Sequence, residues 1–104
     1  MAVDRVEALK AMLAQDPNNS FVQYALAQAQ AGAGNLKEAA AAYRKLIDVD
    51  PTYVAAYFHG GQTLEKMGEV DEAREIYEAG IEACTAKGDL HTRSEIQGAL
   101  DLLP

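Results

Sequence analysis

Residues Gly34 to Pro51 read GNLKEAAAAYRKLIDVDP, and the stretch returns in altered form from Gly68 to Thr85 as GEVDEAREIYEAGIEACT. Gly68 stands 34 residues after Gly34, and Asp50-Pro51 stands 34 residues after Asp16-Pro17. Self-similarity at this period, in a chain otherwise patterned as helix, is the signature of stacked helical hairpins.

Working outward, the apolar spacing predicts six helices. Over residues 2–15, Val6, Leu9 and Leu13 make one stripe. Asp16-Pro17 ends that helix, because the residue before proline is pushed out of the α region. Asn19 or Ser20 then caps a second helix running to Ala31, packing through Val22, Ala25, Leu26 and Ala29. The Gly32-Ala33-Gly34 run closes it with a left-handed residue. Asn35 and Glu38 are spaced as a capping box for helix three, which reaches Val49 with Ala39, Ala40, Tyr43, Leu46 and Ile47 on one face. Helix four, Thr52 to Met67, packs through Ala56, Tyr57, Gly60, Gly61 and Leu64. Its paired glycines, each costing about 1 kcal/mol against alanine, imply a neighbouring backbone close by. Helix five opens at Val70-Asp71-Glu72, and Ala73, Ile76, Tyr77, Gly80 and Ile81 form its stripe. Asp89 caps a sixth helix to Leu103, lined by Ile96, Ala99, Leu100 and Leu103, with Arg93, Gln97 and Asp101 on the other side. Short turns make these antiparallel neighbours, and no segment alternates with a period of two. The expected class is all-α.

The totals set limits. The 104 residues suggest one domain, 49% apolar, with a formal net charge of −7. That balance argues against nucleic acid and against an anionic membrane surface. Cys84 is the single cysteine, so no internal disulfide forms and a reducing compartment is the default. Asp4, Arg5, Glu7 and Lys10 interrupt any apolar run at the start, and no stretch has the length of a membrane span. Cytoplasmic is therefore the expected location.

The quoted residues resemble the tetratricopeptide repeat, patterned W-x2-L-G-x2-Y, then A-x3-F, then P. Leu26, Ala27, Ala39, Tyr43 and Pro51 fit the first copy, and Tyr57, Gly61, Leu64, Ala73 and Tyr77 fit the second. Gln23, Gln30, Leu46, Gly60 and Thr85 depart from the pattern and weaken single contacts. In such a hairpin a small residue admits the facing helix and an aromatic fills the gap between units. The resemblance covers Asn18 to Lys87 and implies a right-handed superhelical α-solenoid. Its expected division is an N-terminal capping helix in 1–17, repeats in 18–51 and 52–87, and a C-terminal capping helix in 88–104.

The resemblance also implies a concave groove, lined by the first helix of each hairpin, that holds a peptide or helix of a partner protein. The residues carried into it are Phe21, Tyr24, Ala25 and Gln28, then Ala55, Phe58, His59 and Gln62, with Glu65 and Lys66 at its end. Tyr24 and Phe58 are equivalent by the repeat, as are Gln28 and Gln62, pairing ring stacking with amide hydrogen bonding. The competing reading packs these aromatics against helices one and six. A two-carboxylate clamp of the kind some family members use would fall on Tyr24, Gln28, His59, Asp89 and Arg93. Only Arg93 has the charge required, so that role is disfavoured.

Chemistry has little support. Cys84, His59 and His91 show no recognised metal spacing, no carboxylates are marked as an acid/base pair, and no phosphate loop is present. The expectation is a non-catalytic interaction module with no metal and no cofactor. Two alternatives stay open: a homodimer through helix six or the groove, with Leu102 and Leu103 as apolar contacts to examine, and a Cys/His-dependent metal or redox activity using Cys84.

Overall fold

The computed structural model describes the backbone over residues 2–104 and side chains from Arg5 onward. Met1, the first residue of the expected N-terminal segment, and the Asp4 side chain lie outside the described residues. Six helices run α1 (Ala2–Gln15), α2 (Ser20–Gly32), α3 (Leu36–Val49), α4 (Val54–Lys66), α5 (Val70–Lys87) and α6 (Leu90–Asp101). Among the described residues there is no strand.

The glycine turns repeat one local solution. Gly34, Gly68 and Gly88 have φ of 83°, 79° and 80°, a region open to glycine without a Cβ penalty. At each, the next residue's N–H reaches back to a carbonyl five residues earlier: Asn35 to Gln30, Glu69 to Leu64 and Asp89 to Cys84, at 2.9, 2.9 and 3.0 Å. These bonds satisfy the orphan carbonyls of α2, α4 and α5 and reverse the chain.

The Asp-Pro turns work through side chains. Asn19 Oδ1 accepts from Val22 N at 3.0 Å and caps α2. The Asp50 carboxylate accepts from Thr52 N and Oγ1, and these hydrogen bonds, helped by Ser20, hold it below the usual carboxylate range. That turn keeps Thr52 and Tyr53 out of helix, so α4 begins at Val54 rather than at Thr52. Helix α6 likewise stops at Asp101, short of Leu103.

One expected cap does not form. Asn35 makes no side-chain cap bond; its Nδ2 donates instead to Gln30 Oε1 at 2.9 Å. Gln30 is buried, and an unsatisfied amide oxygen there would cost more than an uncapped helix end facing water. Gln23, in the place of the usual tryptophan, is also buried and donates to the Ala42 carbonyl at 3.1 Å, tying α2 to α3. These two departures therefore make contacts of their own.

Each helix packs against the next, and α4 also touches α6, in a body of 37 × 28 × 18 Å. One core cluster joins Ala27, Ala39, Ala42, Tyr43, Leu46 and Ala56; a larger one joins Ala40, Val54, Tyr57, Leu64, Ala73, Tyr77, Cys84 and Ile96. Leu46, Leu64 and Ile96 are fully buried, each contributing about 1.5–3 kcal/mol of transfer free energy. Glycines meet tyrosines at the seams. A Cβ on Gly61 would lie 2.1 Å from the Tyr77 ring, and one on Gly80 would lie 2.6 Å from Tyr57 Cβ. The expected close backbone beside Gly60 and Gly61 is thus a pair of tyrosine side chains, Tyr43 and Tyr77.

Candidate functional site

Helices α2 and α4 carry the residues expected to bind. The hairpin offset brings Tyr24 of α2 beside three rings: Tyr53 at 5.1 Å between centroids, His59 at 5.9 Å and Tyr43 at 6.3 Å, the last edge-to-face. His59 stacks on Tyr43 at 6.5 Å and meets Phe58 edge-to-face at 5.3 Å. One aromatic cluster therefore spans the α2/α4 seam, with Tyr43 of α3 as its buried floor. Burial pushes the Tyr43 phenol up to about 12, with Tyr24 adding to it. Burial also raises Tyr24 and Tyr53 above the ordinary phenol value.

Gln28 Nε2 donates to the Tyr24 hydroxyl at 2.7 Å, one helical turn away, and holds that ring's orientation. The equivalent pair, Gln62 with Phe58, has no hydroxyl, so the second repeat lacks this bond. Phe58, Gln62 and Ala55 are half-buried. Phe58 packs against the larger core cluster as well as His59. Ala55 lines a shallow depression of about 240 Å³ with Tyr53, Val54 and Lys87. Phe21 is 72% exposed, and among the described residues no ring stacks on it. The structure thus brings Tyr24, Gln28, Phe58 and His59 together and leaves Phe21 at the margin. Glu65 turns elsewhere: its carboxylate accepts from the Tyr77 hydroxyl of α5.

Tyr53 joins the cluster without having been expected. Its repeat counterpart is Asn19, so no periodic pairing marks it. The Asp50-Pro51 turn, which holds it just ahead of α4, is the signal that could have found it.

The remaining candidates have structural occupations. Asp89 accepts from Thr92 N and Oγ1, and these bonds keep its carboxyl below the usual range. His91 lies 3.6 Å from Glu95 on exposed α6. Cys84 is buried, and burial followed by the Asp89 charge pushes its thiol up, away from the reactive thiolate. Among the described residues no three His, Cys, Asp or Glu gather into a metal-sized group, and no helix is long and apolar enough to cross a membrane.

Antiparallel helices joined by left-handed glycine turns, with buried tyrosines Tyr43 and Tyr77 at a 34-residue offset, define a helical-repeat protein. The tetratricopeptide repeat family profile matches residues 31–83, and the chain belongs to that family. It is 26% identical over 91 residues to a repeat-containing protein of this family from Pseudomonas aeruginosa, covering 88% of this chain and 87% of that one. A tetratricopeptide repeat domain protein from Salinibacter ruber, solved in solution, shares 36% identity, with a TM-score of 0.76 over 82% of this chain and 86% of that one. The TPR2B domain of yeast Sti1, solved as a complex with pHsp70, has the same fold, with a TM-score of 0.84 at 24% identity over 91% and 76% of the two chains.

Proposed function

We propose that this chain is a non-catalytic protein-interaction module that seats a partner's peptide or helix on the α2/α4 face. The observation that carries this reading is the aromatic cluster of Tyr24, Tyr53, Phe58 and His59, half-buried and therefore still partly open to solvent. Rings fixed by neighbours lose little entropy on contact and offer both an apolar body and polar edges. Phe21, Gln28, Ala55 and Gln62 extend that surface. In this reading α1 and α6 act as capping helices around repeats at 18–51 and 52–87. The Sti1 domain, of this fold and solved with pHsp70, lends support by analogy. The single buried cysteine suits a reducing, cytoplasmic setting.

Affinity capture from the native host, followed by titration with the purified partner, tests the proposal. Tyr24→Ala and Phe58→Ala are expected each to weaken binding by about tenfold or more, the loss of a central aromatic contact, while circular dichroism stays helical. Capture that survives both substitutions overturns it.

A second reading is self-association through α6. It is favoured by Leu102, 86% exposed; Leu103, by contrast, is half-buried against the core and is withdrawn from that contact. Sedimentation showing a monomer over a wide concentration range removes it.

A further inference from the structure

The chain carries 16 acidic and 9 basic residues, and their distribution is uneven. Helix α2, SFVQYALAQAQAG, has no charged residue at all. Helix α4, VAAYFHGGQTLEK, has only Glu65 and Lys66, both in its last turn. Glu65 is engaged by the Tyr77 hydroxyl of α5. Helix α5, by contrast, holds Asp71, Glu72, Arg74, Glu75, Glu78, Glu82 and Lys87. The net charge of −7 is therefore kept off the α2/α4 face along nearly its whole length. What lies there is aromatic carbon, the His59 ring, the Tyr24 and Tyr53 hydroxyls, small apolar side chains and the amides of Gln28 and Gln62, with Lys87 of α5 beside Ala55 at one end.

From this we infer that the segment seated on α2 and α4 is uncharged over its contact region, recognised by apolar and aromatic side chains with amide hydrogen bonds to its backbone. The inference rests on the groove reading above and narrows its partner. A carboxylate or ammonium moved from water onto the middle of this face would lose hydration and meet no counter-charge there, Lys87 lying beside Ala55 at one end and Lys66 in the last turn of α4 at the other. Apolar groups gain about 25 cal/mol per Å² buried wherever they land. Binding of this kind is nearly indifferent to salt, because screening acts only on charges. The one attraction that works the other way is a cation over a ring face, and it supplies the opposing outcome.

The test uses a displayed library of random peptides selected on the purified chain. The affinities of the selected peptides are then measured between about 0.05 M and about 0.5 M salt. Peptides whose essential positions lack Asp, Glu, Lys and Arg, and whose affinity changes less than about twofold across that range, support the inference. Gln62→Glu, at a half-buried position one turn from Phe58 on α4, must then weaken those peptides at least about tenfold, since it sets a charge where uncharged contact is made. Essential Lys or Arg positions with an affinity falling about tenfold with salt overturn the inference. The groove reading then still stands if Gln62→Glu or Phe58→Ala abolishes binding. Peptides indifferent to both substitutions overturn the two together. If nothing is selected, the inference fails as well, whether the chain is a monomer or forms a dimer that Phe58→Ala dissolves, the latter showing a second copy as the occupant.

Discussion

At the scale of single residues, the glycines separate by what their missing side chains would touch. A Cβ on Gly61 would run into the Tyr77 ring, and that ring is fully buried with its hydroxyl held by Glu65, so it has nowhere to swing. Gly61→Ala is expected to destabilise by about 1–3 kcal/mol, because overpacking outweighs the roughly 1 kcal/mol that alanine gains in helix propensity. Gly60 is looser, since a Cβ there would lie 3.2 Å from Tyr43 Cβ, so the two effects nearly cancel. Gly98 on α6 is open, with nothing within 4 Å, and Gly98→Ala should stabilise by about 0.5–1 kcal/mol. Urea midpoints of the three variants order these outcomes. Equal shifts for Gly61→Ala and Gly98→Ala would mean that the tyrosine seam does not constrain its glycine.

At the scale of elements, two asparagines at equivalent-looking positions do different things. Asn19 caps α2 through Val22 N, and Asn19→Ala is expected to cost about 1 kcal/mol and to speed amide exchange in the first turn of α2. Asn35 caps nothing, so Asn35→Ala should leave the first turn of α3 unchanged; its cost falls on the buried Gln30 amide, in the last turn of α2. Exchange measured turn by turn distinguishes them. The contrast also shows what was readable beforehand. The six helices were legible because glycine and Asp-Pro punctuation is local chemistry, set by backbone conformation within a few residues. The capping box was misread because the same Asn35 side chain has a tertiary competitor in Gln30, which spacing alone does not reveal. For the site, the resemblance sets Phe21, Tyr24, Gln28, Ala55, Phe58, His59 and Gln62 on α2 and α4, and the 34-residue offset adds only the pairing of Tyr24 with Phe58 and of Gln28 with Gln62. It was blind to Tyr53, whose counterpart is Asn19, and to Tyr43, whose ring serves the core and the cluster at once. Glu65, which the resemblance sets at the groove's end, accepts from the Tyr77 hydroxyl, a partner that sequence spacing does not show.

At the scale of the whole molecule, the five tyrosines make stability depend on pH in one direction. Burial raises the phenols of Tyr24, Tyr43, Tyr53, Tyr57 and Tyr77, with Tyr43 at about 12 and Tyr77, which also faces the Glu65 carboxylate, higher still. Their ordinary value is 10.0. Below that value both folded and unfolded chains keep these phenols protonated, and their contribution is fully present. As pH rises past it, the unfolded chain releases its phenolic protons first, so it binds fewer protons than the native state and stability falls. The loss should begin near pH 10 and continue through the folded values of Tyr43 and Tyr77, with tyrosinate absorbance appearing together with loss of helicity rather than before it. Tyr77→Phe removes one of the two most shifted groups, so its stability, lower at neutral pH for want of the bond to Glu65, should decline less steeply above pH 10. Urea titrations at a series of alkaline pH values compare the two slopes. A wild-type slope no steeper than that of Tyr77→Phe would show that the seam phenols ionise freely in the folded state, and that the glycine–tyrosine packing is open to solvent.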